Sequence, residues 1–512
     1  MQSNMGADHF RHVRVTSWRA HDFRKIIEAR KCPAEYEPTA LHHQQGEEEP
    51  AAHRPVKAGS MAAQSPVAPE RRKQVLRVLF ISLLLDLISF TFILPLFPKL
   101  LEFYRNLETQ SANTLLSQIL YGLNAYKNSF SKPINDRYDI VLLGGALGSL
   151  FSLCQAVASP VIGTLSDRYG RRTALLWSMM GNIASVALWC VATDFRTFLA
   201  SRVVGGLSEG NVQLALAIAT DISSDQDRGK TMAMVGACFS IAFTFGPALG
   251  AALAQVTSVA ANPFATAAGV SLLLIVTETV YLYFALPETH VVNKPTANGN
   301  SKQPKQTTPT HERTNSFAML NLTHFCFILF FSGMEFSLPF MTYDLFSYES
   351  KQSGRLLGYI GLVASILQGG VTRKMQPIKV VQLGVLCAAV AFLLLARIET
   401  ERGLYGAATL LAVTSSTVVT GLNSLASFEA SSQERGEKLG NHRSFGQVGR
   451  ALGPLIFCTL YWWAGRDAAY TIGGAGMLAV CGLVFGGLKS PKGLQGKSVK
   501  EAKENGSVKK TT

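Results

Sequence analysis

The chain has 512 residues, 48 % of them hydrophobic and only 16 % charged, with a formal net charge of +14 and a mean hydropathy of +0.19. A soluble globular chain carries about 25 % charged residues, and here the deficit is concentrated in apolar stretches too long for a soluble core. Those figures exclude a soluble enzyme, a nucleic-acid-binding domain and a secreted disulfide scaffold.

In chain order, residues 1–73 are rich in His, Glu, Pro and Ala without hydrophobic period and read as a disordered tail. Met61-Ala-Ala-Gln-Ser has the form of an ordinary start, so residues 1–60 read as an upstream extension. The first apolar run begins only near Val75, so no cleavable signal peptide is expected. A membrane helix needs about 20 mostly apolar residues. That ruler predicts twelve spans, at 75–101, 140–162, 173–193, 198–220, 231–254, 264–286, 318–341, 354–371, 379–396, 404–427, 444–462 and 469–487. None alternates in the manner of a barrel strand. The predicted fold class is therefore all-α integral membrane: twelve helices in two pseudo-symmetric six-helix halves, 74–289 and 318–488. A Lys/Asn/Thr/Pro linker (290–317) joins them and a basic tail (489–512) follows.

The charge distribution orients these spans. The two tails and the loops on their side carry a net +15, whereas the loops on the opposite side hold 10 basic and 10 acidic residues. Short loops rich in Lys and Arg stay cytosolic, so both termini are predicted in the cytosol. The plasma membrane and an internal membrane, the nuclear envelope included, both fit. Seven of the eight cysteines fall inside spans with no CxxC pair; they read as small buried hydrophobes. No metal site is expected.

Two stretches repeat. Asp225-Gln-Asp-Arg228-Gly229 is followed 18 residues after Arg228 by Gly246-Pro247, and Ser432-Gln-Glu-Arg435-Gly436 is followed 18 residues after Arg435 by Gly453-Pro454. The offset is 207 residues in both pairs. Gly-Pro within a helix loosens it and lets a neighbour approach, so Gly246, Pro247, Gly250, Gly453 and Pro454 are predicted helix-packing positions.

After the second span stands Gly163-Thr-Leu-Ser-Asp167-Arg168-Tyr-Gly170-Arg171-Arg172. The residues predict a tight turn at Gly170, close helix packing at Gly163, and an Asp that pairs with Arg or sits at the positive end of a neighbouring helix. This segment resembles the signature G-x-x-x-D-R/K-x-G-R-R of the major facilitator superfamily at every fixed position. Arg202-Val-Val-Gly-Gly206-Leu-Ser-Glu-Gly210 and Phe245-Gly246-Pro247-Ala-Leu-Gly250 are similar to its fourth- and fifth-helix motifs, the latter of the drug/proton antiporters, with Ala242 and Ala251 where Gly is usual. Leu83 to Pro95 and Phe331-Ser-Gly-Met-Glu335-Phe resemble the tetracycline efflux pumps and their animal relatives. The resemblance implies a latch that holds the halves in the outward-facing state, built on Gly163, Asp167, Arg168, Gly170, Arg171 and Arg172, with Asp221 as the expected partner of Arg168 or Arg172. The counterpart Gly370-Val-Thr-Arg373-Lys374 lacks the Asp, so a second latch is expected to be weaker or absent.

A charge at the bilayer centre costs at least about 2.5–3.5 kcal/mol, so charges within spans mark function or a buried pair. Asp86 and Glu335, deep in the first and seventh spans, are the proton-coupling candidates. Arg202, Arg450 and Glu209 are the substrate-binding candidates, with Arg450 expected to be the best-buried permanent cation. Glu278 is expected to face a cavity or pair locally, and His324 to lie at the interface. The resemblance implies a monomeric secondary active transporter exporting a small organic anion or amphiphilic drug, driven by protons. Its partners would be the lipid bilayer, that substrate and protons, with no nucleic acid and no cofactor. A non-transporting scaffold or receptor on the same fold is the alternative, separated by substrate flux in vesicles. No GxxxxGK[ST] occurs in the segments assigned to the cytosol, which disfavours direct ATP drive.

Overall fold

The computed structural model describes residues 69–108, 114–130, 138–253, 256, 262–290, 313–348 and 350–491. The disordered-tail reading up to residue 68, most of the linker and the basic tail from 492 lie outside the described residues.

All regular secondary structure among the described residues is helical. The first predicted span is two helices, α1 (Pro69–Thr91) and α2 (Ile93–Glu108). Pro95 has no N–H for the carbonyl of residue 91, and Phe92 N turns back instead to Ser89 O at 3.4 Å. The region between the first two spans, read from sequence as a loop, contains α3 (Leu115–Asn128), whose start is capped by Thr114 accepting from Ser117 N. At 14 residues α3 is too short to cross a bilayer, and a ruler tuned to span length passes over it.

α4 (Tyr138–Tyr169) and α5 (Arg171–Cys190) follow the second and third spans. The signature is barely a loop: α4 runs through Asp167 and Arg168, and Gly170 alone, at φ +96°, makes the turn. That backbone conformation is open to glycine and strained for other residues. The predicted continuous fourth span is also corrected. It is α6 (Phe195–Ser208) and α7 (Asn211–Asp221), interrupted at Glu209-Gly210. Ser178 Oγ of α5 fills the break, accepting from Gly210 N at 2.8 Å and engaging Ser208 O and Asn211 Oδ1. A buried polar backbone group needs such a partner.

The remaining spans are α8 (Asp225–Leu253), α9 (Ala265–Ala285), α10 (Phe317–Phe346), α11 (Ser350–Gly370), α12 (Pro377–Ala396), α13 (Glu401–Glu429), α14 (Arg435–Ala464) and α15 (Arg466–Gly487). Among the described residues ten helices are long and apolar enough to cross a membrane: α1, α4, α5, α8 to α13 and α15. The two expected spans outside that set are the broken α6/α7 pair and α14, which carries Arg443 and Arg450 inside it. Broken or charged helices at membrane depth are tolerated where they face protein or a water-filled cavity.

α4 lies along α14, α10 packs on α14, and α8 lies between α1 on one side and α11 and α13 on the other. The paired Gly-Pro motifs serve these contacts. Gly246 abuts Thr91 and Gly250 abuts the Phe92 backbone, so α8 closes on the α1/α2 break; Gly453 abuts Ser332 and the backbone of α10. Pro247 and Pro454 sit inside α8 and α14 without ending either helix.

Candidate functional site

The signature residues form one network at the end of the bundle where α4 turns into α5. Asp167 accepts from Gly436 N at 3.0 Å and from Glu437 N at 2.8 Å. These are first-turn amides of α14, so an Asp from α4 caps a helix some 270 residues later. Gly163 packs on the Gly436 carbonyl, where a Cβ would collide. Arg171, 0 % exposed, donates from Nη1 to Asp167 at 2.6 Å and from Nε to Asp221 at 2.9 Å. Asp221 also takes Arg435 Nη1 of α14 at 2.5 Å. The expected pairing of Asp221 with Arg168 or Arg172 is thus corrected to Arg171 and Arg435. Helix rotation decides this. Arg168 is exposed, and Arg172 turns outward to Tyr283, bonding its carbonyl at 2.5 Å and lying over its ring. Glu288, outside the signature, caps α5 by accepting from Arg171 N and Arg172 N.

The interior charges sort into two groups. Asp86, Arg202 and Glu209 line one cavity of about 50 Å³, enclosed by α1, α4, α5, α6 and α9, with Ser89, Asn182, Ser185 and Ser271 among its polar walls. Asp86 is 4 % exposed and lies beside Asn211, the first residue of α7. Glu209 sits in the α6/α7 break, with Gln155 of α4 bonded to its carboxyl and Arg443 Nη2 of α14 at 3.8 Å. Arg202 does not reach out to an interface; its guanidinium lies 5.4 Å from the Phe198 ring and 5.8 Å from the Trp189 ring, against the cavity.

Glu335 and Arg450 belong to a second group, paired at 3.4 Å between α10 and α14. Arg450 is not the best-buried cation: its side chain is 45 % exposed and that of Glu335 49 %. Arg443 and Arg450 are two turns apart on one stripe of α14, while the opposite stripe presents Phe445, Leu452, Leu455 and Ile456, the surface suited to lipid. Arg443 is the charge at this site that the hydropathy pattern does not single out. It lies next to a span boundary drawn at 444, but α14 begins at Arg435 and carries it two turns in. Its seven-residue spacing from Arg450 is the signal the sequence offers. Charges from Glu209, Arg450 and Asp86 all act on it, so it joins the two groups.

His324 packs inside the protein near the start of α10, stacked on His442 with ring centroids 4.3 Å apart, and its Nδ1 lies 3.0 Å from His442 O. Glu278 is buried against α1, with Ser82 Oγ donating to it at 2.6 Å.

An all-helical, multi-pass membrane protein with helices interrupted at buried charges has the construction of a transporter. The chain belongs to the Major Facilitator Superfamily, whose model matches residues 79–454. It is 34 % identical over 426 residues to mouse major facilitator superfamily domain-containing protein 10, covering 79 % of this chain and 91 % of that one. The class E tetracycline resistance protein of Escherichia coli is 25 % identical over 327 residues, 62 % of this chain and 78 % of that protein. The crystal structure of the human organic anion transporter MFSD10 (TETRAN) superposes with a TM-score of 0.73 at 32 % identity, covering 82 % of this chain and all of that one.

Proposed function

We propose that this protein is a monomeric, proton-coupled antiporter that exports organic anions or amphiphilic drugs by alternating access, leaving them chemically unchanged. Two six-helix halves, 74–289 and 318–488, rock about the interior charges, with both termini in the cytosol. The observation that carries the reading is Arg443, which pairs with Glu209 at 3.8 Å, stands close enough for its charge to act on Asp86, and lies two turns from Arg450. An anion entering beside Arg450 competes with Glu335 for the guanidinium. As the anion leaves, Asp86 takes a proton and gives up its claim on Arg443, and the halves return with the proton in place of the anion. Similarity to the human organic anion transporter and to the tetracycline resistance proteins supports the substrate class.

The test is uptake into proteoliposomes with an imposed pH gradient, beside anion exchange at equal pH. Asp86→Asn is expected to abolish gradient-driven accumulation and leave exchange partly intact, because exchange moves no net proton. Arg450→Gln is expected to weaken both. Full gradient-driven transport by Asp86→Asn would make Asp86 structural. The orientation is tested separately: cysteines placed at Asn113 and Ser498 should label from opposite sides of the membrane, and same-side labelling overturns the topology.

A further inference from the structure

Glu278 stands outside the network just described, and its surroundings are unusual for a carboxyl. It lies within α9, 1 % exposed. One oxygen accepts the Ser82 hydroxyl at 2.6 Å, and the other, Oε2, is buried without a hydrogen-bond partner. On α1, Ser82, Asp86 and Ser89 are spaced by four and three residues and so share one face. That face meets α9 at both ends. Ser82 bonds Glu278, and Ser89 Oγ lies 2.5 Å from Ser271 Oγ. Asp86 stands between the two hydroxyls, and its charge acts directly on Glu278. Asp86, Ser89 and Ser271 also line the cavity of about 50 Å³, which has room for more than one water.

The charged groups near Glu278 are few. From α1 the charge that reaches it is Asp86. α5 contributes the neutral Asn182 and Ser185 to the adjoining cavity, and its charges Arg171 and Arg172 are engaged at its start. The charges of α8 are likewise at its start, where Asp227 holds Arg72 and Lys230 and Asp225 holds Arg228. Arg443 and Glu209 face Asp86. A buried carboxylate with no cation costs several kcal/mol, and two carboxylates sharing one site resist simultaneous ionisation.

We propose that Glu278 is a second proton-carrying carboxyl, which with Asp86 forms a pair bridged by the Ser82 hydroxyl and the cavity water. Glu278 holds its proton on the unpartnered Oε2 while Asp86 is ionised, and gives it up to the cavity water once Asp86 has been refilled. In each transfer one O–H bond breaks on the donor carboxyl and one forms on the acceptor, with the hydroxyl or a water handing on an equivalent proton. The competing role is a permanently neutral glutamic acid that serves Ser82 as an acceptor. Glutamine serves equally well there, so Glu278→Gln separates the two.

The transport consequence rests on the antiport reading, but the first measurement does not. Infrared pH titration of the purified full chain should show a protonated-carboxyl band, identified by its loss in Glu278→Gln, that declines as pH rises and shifts in Asp86→Asn. A band that stays constant with pH overturns the proposal. The second measurement uses fluorescein as the transported anion in proteoliposomes. Each coupled proton multiplies attainable accumulation by about tenfold per pH unit. Glu278→Gln is expected to lose about that factor and keep exchange at equal pH, and undiminished accumulation overturns the proposal. If the wild-type chain accumulates fluorescein equally with and without a gradient, the antiport reading fails, and the infrared band alone then decides for or against Glu278.

Discussion

The two ends of the 207-residue offset make the most instructive comparison in the molecule. Arg435 of α14 corresponds to Arg228 of α8, and their partners correspond as well, Asp221 at the end of α7 to Phe428 at the end of α13. Arg435 meets a carboxylate at 2.5 Å that also holds Arg171. Arg228 lies over an aromatic ring, 4.6 Å from its centroid, and donates to Ser427 O at 3.4 Å. The same inequality runs through the neighbouring positions. Gly163 is pressed on Gly436, whereas a Cβ on its counterpart Gly370 would meet nothing within 4 Å. Asp167 caps α14, whereas Lys374 stands at its counterpart and ends a short 3₁₀ turn. One arrangement is thus a buried ion network that joins α4, α7 and α14 with a helix cap; the other is a cation–π contact with looser packing, in which Arg228 pairs at 2.9 Å with Asp225 of its own helix. The missing Asp at position 374 leaves the first turn of α8 without the cap that Asp167 gives α14. The difference teaches that a repeated backbone need not carry repeated contacts: a buried ion network stands on one side and a cation–π contact on the other.

The comparison breaks most severely at Asp167. Asp167→Ala removes the cap from two α14 amides, about 1–2 kcal/mol, and half of the anionic surroundings of buried Arg171, which costs more. Since these contacts join α4 to α14, the expected result is a shift in the conformational equilibrium. Turnover should fall about tenfold or more while affinity for a probe anion changes by less than about twofold. Transport rate measured beside equilibrium binding checks this, and lost binding at unchanged turnover contradicts the latch role.

A methyl group at each corresponding glycine gives the next effect. Gly163→Ala drives a Cβ into the Gly436 carbonyl and should lower both turnover and thermal stability, by about 1–3 kcal/mol for overpacking. Gly370→Ala fills open space and should match the wild type. Equal losses in the two variants would show that close packing at Gly163 is incidental.

The soft side gives the smallest change. Phe428→Leu removes the ring from beneath buried Arg228, about 2 kcal/mol for a desolvated pair; Arg228 keeps Asp225 and the Ser427 carbonyl, and turnover should alter about two- to fivefold. Phe428→Asp supplies the missing carboxylate. It is expected to slow transport by making both sides hold, read as slower cysteine labelling from the α4–α5 end of the bundle. Faster labelling in Phe428→Asp would mean that the asymmetry does not govern opening.

Several positions are legible in the amino-acid sequence alone. Asp167 as a helix-end partner, Gly170 as a turn and Gly163 as a packing site follow from residue type and spacing, and each is found in that role. Asp86, Arg202 and Glu209 stand out because charge is costly in an apolar run, and they do line one cavity. Glu335 and Arg450 stand out on the same ground and lie in a separate pair. Arg443 escapes notice because a span boundary read from hydropathy stops where charge begins, although a helix continues through it. The α6/α7 break is invisible in the sequence because Glu209-Gly210 has no proline, and the interruption is sustained by a hydroxyl from another helix.

The sequence by itself determined that this chain crosses a membrane many times, which family it resembles, and which residue types at the α4–α5 turn must face protein. These follow from apolar length, loop charge and local spacing, which are properties of the chain in one dimension. Only the tertiary structure decided that Asp221 serves Arg171 and Arg435, that Arg443 joins the two charge groups, and that Glu278 stands beside Asp86. The reason is geometric. Neighbouring positions on a helix differ by about 100° in direction, and a single break resets that direction. Which charges meet therefore depends on how each helix is turned against partners hundreds of residues away.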